Sequence, residues 1–131
     1  MRIAPLLSAL PLMLAPLASP LSAQNSIPPR FEVVLADFSF SPQTIRLPAN
    51  QKISLRLTNR GSGGHNFAAP EFFAKAQLEP ASAALVHRGK LEVKKGASVD
   101  LTLTPAAGRY KLKCTHFLHS GFGMKGEIVV E

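Results

Sequence analysis

Apolar and polar residues alternate along most of this chain, most regularly between residues 52 and 58. There Ile53, Leu55 and Leu57 occupy one face and polar residues the other. A period of two residues predicts a strand that is buried on one side. Further short strands are predicted around residues 31–35, 38–47, 91–93, 99–104, 110–114 and 126–130. Several short strands separated by turn residues predict an all-β sandwich or barrel.

One segment breaks this pattern. Residues 70–84 are rich in Ala and Glu and carry no strand alternation. This composition predicts a short helix or an irregular insertion, with a helical turn between Glu71 and Leu78.

The first 23 residues differ from the rest of the chain. A short basic start at Arg2 is followed by an apolar run interrupted by prolines, and small residues end it at Ala23. This order predicts a secretory signal peptide over residues 1–23, a mature domain over residues 24–131 and a periplasmic location. A retained membrane anchor is the alternative. The run is too short and too rich in proline for a helix that must span about 20 apolar residues, so no membrane span is expected in the mature form.

The chain is basic, with 15 Lys and Arg against 8 Asp and Glu and a formal net charge of +7. A positive balance favours acidic partners and steers them toward the protein, although scattered charge also serves simply as a solvated surface. We expect no nucleic-acid partner, because the sequence contains neither a basic helix nor a basic motif with interleaved aromatic residues.

The single cysteine is the strongest chemical signal. In an exported protein most cysteines pair, but Cys114 has no second cysteine in its chain. His119 and Met124 follow it at spacings of five residues, and His65 stands about fifty residues upstream. One thiolate, two imidazoles and a weak thioether form the ligand set of blue copper electron-transfer sites. The alternative is a buried structural cysteine beside an aromatic-rich turn.

The predicted strands indicate how these side chains meet. A strand ends at Cys114, and a returning strand after Met124 makes the intervening segment a hairpin-like loop. We expect His65 to come from a separate segment, at the end of a loop at the same pole of the sandwich. Thiolate and thioether favour Cu(I) and imidazole suits Cu(II), so the set suits one copper ion that changes oxidation state.

Three segments resemble the cupredoxin family, which includes plastocyanins and azurins: the Gly-His-Asn-Phe motif at 64–67, residues 107–114 up to the cysteine, and residues 119–130 with the second histidine and the methionine. The resemblance implies a Greek-key β-sandwich with one type 1 copper ion. It implies three equatorial ligands and one axial ligand, namely His65, Cys114, His119 and, axially, Met124. It further implies that the backbone N–H of Asn66 donates to the cysteine sulfur, and that Gly64 brings a carbonyl near the metal.

The neighbouring side chains have less specific roles. His116 is the alternative to His119 as a ligand, and otherwise lies beside the site, whereas His87 is expected at the surface. Phe117 and Phe122 flank the predicted ligands and would seal the site from water. Alternatively, they form an apolar patch for electron entry around the edge of His119.

Two functions suit this ligand set. The first is a monomeric electron carrier that docks redox proteins with acidic surfaces, and the second is a protein that binds or delivers copper in the periplasm. A copper enzyme is not expected. Enzymes with related sites need further copper ions, usually with histidines directly beside the cysteine, and here Lys113 and Thr115 hold those positions.

Overall fold

The structure, a computed structural model, describes residues 15, 18–19, 25–116 and 123–131. The predicted signal peptide lies almost wholly outside these ranges, and the boundary at residue 23 remains a prediction. Within the described ranges, no helix is long and apolar enough to cross a membrane.

The described residues form two five-stranded sheets, which confirms the all-β sandwich predicted from the alternation. In chain order the elements are β1 (Arg30–Ala36), β2 (Ser39–Ser41), β3 (Thr44–Leu47), β4 (Ile53–Asn59), β5 (His65–Ala68), α1 (Pro70–Lys75), β6 (Gln77–Leu78), α2 (Pro80–Ala83), β7 (Lys90–Val93), β8 (Ser98–Thr104), β9 (Gly108–Lys113) and β10 (Lys125–Val130). The first sheet has the order β2-β1-β4-β8-β6, and the second has the order β3-β10-β9-β5-β7. The pairs β1–β4 and β10–β3 are parallel, and the other neighbouring strands are antiparallel.

The alternating residues of β4 face the core between the sheets. Ile53, Leu55 and Leu57 are fully buried, and in β8 Leu101 lies directly opposite Leu55 and is buried as well. Burying a side chain of this size stabilises the fold by about 1.5–3 kcal/mol relative to leaving it exposed. The register of the first sheet therefore follows from the alternation, since a shift by one residue would turn this apolar row toward water.

The segment at 70–84 contains two short helices with strand β6 between them, so the predicted helical turn is only partly correct. Helix α1 begins at Pro70, whose fixed φ suits the first turn of a helix, and it ends at Lys75. Leu78, expected within the helical turn, instead pairs with Leu103 at the edge of the first sheet. The chain becomes extended at Ala76, which separates the helix from the strand.

Candidate metal centre

Three chain segments bring predicted ligands to one end of the second sheet. Strand β5 begins at His65, and β9 ends one residue before Cys114. The backbone N–H of Cys114 donates to the carbonyl of Met124 over 3.1 Å, which holds the start of β10 against the end of β9. His65 was expected at the end of a loop, and it is the residue at which strand β5 begins after that loop. It pairs with Val93, so the backbone ladder fixes its position.

These three side chains are buried, and the two strong donors lie close together. His65 is 1% exposed, and Cys114 and Met124 are fully buried. The Nδ1 atom of His65 lies 4.0 Å from the Sγ atom of Cys114. Metal–nitrogen and metal–sulfur bonds of ordinary length, about 2.0 and 2.3 Å, span that separation. The donor set and its spacing therefore fit a soft metal ion such as copper.

Asn66 connects β5 to the cysteine in several ways. Its backbone N–H donates to Cys114 Sγ over 3.5 Å, the contact expected from the resemblance. Its side-chain oxygen accepts from the Thr115 backbone N–H at 2.8 Å, and its Nδ2 donates to Thr115 Oγ1 at 2.7 Å. The same Nδ2 donates to Glu92 Oε1 at 3.0 Å. Because Asn66 is only 2% exposed, these contacts are protected from competition by water.

Glu92 also holds His116, the alternative ligand considered above. The Nε2 atom of His116 lies 2.9 Å from Glu92 Oε2, and the His116 side chain is 34% exposed. Partial burial acts to raise the pKa of Glu92, but hydrogen bonds from Asn66 and His116 and the charge of Lys90 outweigh it and lower that pKa. This contact places His116 beside the candidate centre, on its solvent side.

Two residues of the centre were not found from the sequence. The Oδ1 atom of Asp37 lies 3.1 Å from Nε2 of His65. Asn59, 1% exposed, holds the loop before His65: its Nδ2 donates to the carbonyls of Gly63 and Val93, both at 2.9 Å. The pKa of Asp37 is lowered chiefly by hydrogen bonds from Ser62, first its side chain and then its backbone N–H, and contact with His65 acts in the same direction.

Other predicted residues stay untested or lie elsewhere. His119, Phe117 and Phe122 fall outside the described residues. Gly64 lies next to the centre, and a methyl group added there would stand 3.6 Å from Cε1 of His116. Across the described ranges, no group of three or more His, Cys, Asp or Glu side chains is arranged to hold a metal. His87 is exposed, as expected.

Comparison with known proteins assigns the family. The sequence matches the cupredoxin-like domain over residues 6–130, and the chain therefore belongs to that family. This assignment agrees with the fold class and with the cofactor, one copper ion, predicted from the sequence. No curated protein matches the sequence significantly.

Three solved structures illustrate the similarity of fold. Dithionite-reduced auracyanin from Roseiflexus castenholzii is 19% identical with a TM-score of 0.57, covering 78% of this chain and 96% of its own. Auracyanin B is 25% identical with a TM-score of 0.57, covering 82% of this chain and 92% of its own. Auracyanin A from Chloroflexus aurantiacus, described as a blue copper protein, is 20% identical with a TM-score of 0.56, covering 79% of this chain and 99% of its own.

Proposed function

We propose that this protein is a periplasmic type 1 copper protein that carries one electron at a time between redox proteins. The observation that carries the proposal is the buried pair of His65 Nδ1 and Cys114 Sγ, 4.0 Å apart, with the Asn66 N–H directed at the sulfur. Membership of the cupredoxin-like family and the described blue copper protein of the same fold support the choice of metal.

In this proposal His65, Cys114 and His119 would hold the copper ion as strong ligands and Met124 would be a weak one. Bound copper supplies the one-electron chemistry by alternating between Cu(I) and Cu(II). The protein's part is to hold the ligands still. His65 belongs to a strand, the Cys114 backbone is tied to Met124, and the Asn66 N–H stabilises the negative charge on the sulfur. A site fixed in this way needs little rearrangement when the electron arrives or leaves.

The lysines beside the ligands support an acidic docking partner. Lys113 precedes Cys114 and Lys125 follows Met124, and the two lie directly opposite each other on β9 and β10. Two like charges directly opposite each other destabilise a sheet, so stability of the fold does not explain why both positions carry lysine. With Lys111 they line a groove of about 500 Å³, where the three lysines outnumber one carboxylate, Glu71. No carboxylate of the described chain forms an ion pair with any of the three lysines. Acidic side chains of a redox partner would complement this groove.

The periplasmic location and the absence of enzymatic activity are also part of the proposal. The location rests on the predicted signal peptide at residues 1–23. Cleavage after Ala23 in an expressing cell, detected by N-terminal sequencing of the periplasmic fraction, is the expected outcome. An intact N-terminus on a membrane-bound protein would contradict it.

The function is tested by adding Cu(II) to the purified protein, residues 24–131. We expect an intense visible thiolate-to-copper absorption that is lost in Cys114→Ser and retained in His87→Ala, the control at an exposed histidine. Reversible reduction and reoxidation without loss of copper would support an electron carrier. If the reduced protein instead gives up its copper rapidly to an added Cu(I) chelator, copper delivery is the favoured function. Failure of the wild type to develop the absorption would overturn the proposal.

A further inference from the structure

We propose that Asp37 is a positioning residue that sets the orientation, tautomer and charge environment of the His65 imidazole, and that Gly61 is small because this contact needs the space. The inference rests on the proposed function insofar as it assigns a consequence for copper.

The contact between the two side chains determines where the imidazole proton lies. Asp37 Oδ1 stands 3.1 Å from His65 Nε2. An ionised carboxylate only accepts hydrogen bonds, so Nε2 carries the proton and donates it. The neutral ring then has its lone pair on Nδ1, the atom that faces Cys114 Sγ at 4.0 Å. Asp37 therefore selects the tautomer that a metal beside the cysteine requires.

Asp37 is itself held in place. The Ser62 backbone N–H donates to both carboxylate oxygens, at 2.9 Å to Oδ1 and 3.1 Å to Oδ2. The backbone N–H of Gly61 donates to the side-chain oxygen of buried Asn59 at 2.8 Å. The loop that carries Ser62 is therefore also held at the point where it leaves β4. Asp37 follows β1, so a segment that carries none of the predicted ligands supports the histidine.

Gly61 shows how little room the contact leaves. A Cβ atom built on Gly61 would collide with Nε2 of His65 and would stand 2.6 Å from Asp37 Oδ1. Any side chain there forces the carboxylate, the imidazole or the loop itself to shift. Two residues further on, a Cβ atom on Gly63 would meet nothing within 4 Å. Gly61→Ala and Gly63→Ala therefore add the same methyl group to the same loop, and only Gly61→Ala should disturb the contact between Asp37 and His65.

The charge of Asp37 has a separate consequence. A carboxylate bonded to a ligating imidazole stabilises the more positive state of the centre, so it favours Cu(II) over Cu(I). The Asp37 side chain is 43% exposed, and solvent weakens this effect. Loss of metal-site partners of this kind typically costs about 10–100-fold in metal affinity. A tenfold loss of affinity for Cu(II) alone raises the one-electron potential by about 59 mV.

The experiment compares wild type with Asp37→Asn, Asp37→Ala, Gly61→Ala and Gly63→Ala. Asparagine still accepts from Nε2–H but carries no charge, so it separates position from charge. In the copper-free protein, nitrogen-15 NMR of the His65 ring should show the proton on Nε2 in wild type, Asp37→Asn and Gly63→Ala. Asp37→Ala and Gly61→Ala should show a mixture of tautomers.

The copper-loaded proteins give the second measurement. Asp37→Asn should bind Cu(II) about tenfold more weakly with little change for Cu(I), and its potential should rise accordingly. Gly61→Ala should weaken binding of both ions, whereas Gly63→Ala should match wild type.

The proposal is overturned if wild-type His65 carries its proton on Nδ1, or if Asp37→Asn and Gly61→Ala bind both ions as wild type does. If Asp37→Ala does not fold, the near-isosteric Asp37→Asn and the comparison of Gly61→Ala with Gly63→Ala still test the proposal. If wild type develops no copper–thiolate absorption, the proposed function fails, while the NMR result still judges Asp37.

Discussion

At the scale of single residues, Asn66 connects strand β5, which begins at His65, with the segment that carries Cys114. Its backbone donates to the cysteine sulfur, and its side chain bonds both the backbone and the hydroxyl of Thr115, the residue after the cysteine. A single buried amide thus fixes the distance between β5 and the Cys114 segment. A smaller side chain would leave the Thr115 backbone N–H without this acceptor.

Asn66→Ala should lower the free energy of unfolding of the copper-free protein by roughly 1–3 kcal/mol, because it removes three hydrogen bonds at a buried position. Urea unfolding measures this change. Thr115→Val is the matched control, since it removes only the hydroxyl acceptor and should cost less. An equal cost for the two variants would show that the amide does not hold the segments together.

From the lowered pKa of Glu92 we predict how acid changes the stability of the copper-free protein. Its pKa is lowered in the folded protein from an ordinary value of 4.5. Its contribution to stability is therefore present above about pH 4.5 and is lost as the pH falls through the lowered folded pKa. Glu92→Gln should destabilise the protein at neutral pH and differ least from wild type in strong acid, as chemical denaturation at several pH values would show. The exposed Glu32→Gln serves as the control. A constant difference across the pH range would count against the assignment.

At the scale of elements, the segment at 70–84 supports the two strands of the centre. The Phe72 ring of α1 packs edge-on against Tyr110 of β9, with centroids 5.6 Å apart. The neighbouring Phe73 ring lies 5.9 Å from Phe67 of β5. Phe67 directly follows Asn66, and Tyr110 lies four residues before the cysteine. Helix α1 therefore closes the core beneath the strands that position His65 and Cys114.

Phe72→Ala should destabilise the fold by about 3–5 kcal/mol, because the side chain is 1% exposed and its loss leaves a cavity. Thermal unfolding followed by circular dichroism measures the effect. Leu85→Ala, one residue after this segment, is the control. That side chain is 44% exposed, and its truncation should change stability by no more than about 0.5 kcal/mol. Similar small changes in both variants would mean that the helix does not buttress the sheet.

The limits of prediction follow from these elements. Strands β4 and β8 were predictable because one face is buried and the other meets water, which produces alternation. Strand β5 was not, because all four of its residues are buried and two of them are polar. The pair of His65 and Cys114 was predictable from donor chemistry together with the resemblance of the motif at 64–67. The contact of His65 with Asp37 was not, because it depends on how a loop 28 residues away folds back onto the sheet.

At the scale of the whole molecule, the position of the charges matters more than their sum. Lys113→Gln combined with Lys125→Gln should slow electron exchange of the copper-loaded protein with ferricyanide, an anionic oxidant, by roughly tenfold at low salt. Stopped-flow absorbance measures this rate. The difference should fade as the ionic strength rises above about 0.1 M, where charges are screened beyond roughly 10 Å.

The control is Arg30→Gln combined with Lys52→Gln, which changes the net charge equally and, in addition, removes the exposed ion pair of Lys52 with Glu79. These residues lie at the start of β1 and just before β4. They are therefore at the ends of those strands opposite to Asn59, the residue that holds the loop before His65. The control should leave the rate near that of wild type. Equal slowing in both double variants would mean that only the total charge steers the oxidant, and that the lysine groove is not a docking surface.

The distribution of strand lengths has a consequence for self-association. The seven-residue strands β1, β4 and β8 lie inside the first sheet, whereas its edges are β2 and β6, of three and two residues. The second sheet likewise ends in four-residue strands on both sides. A short edge offers an incoming chain few free backbone groups, so the described sheets are poor templates for amyloid-like growth or domain swapping. We therefore expect strand addition to be disfavoured at the edges of both described sheets.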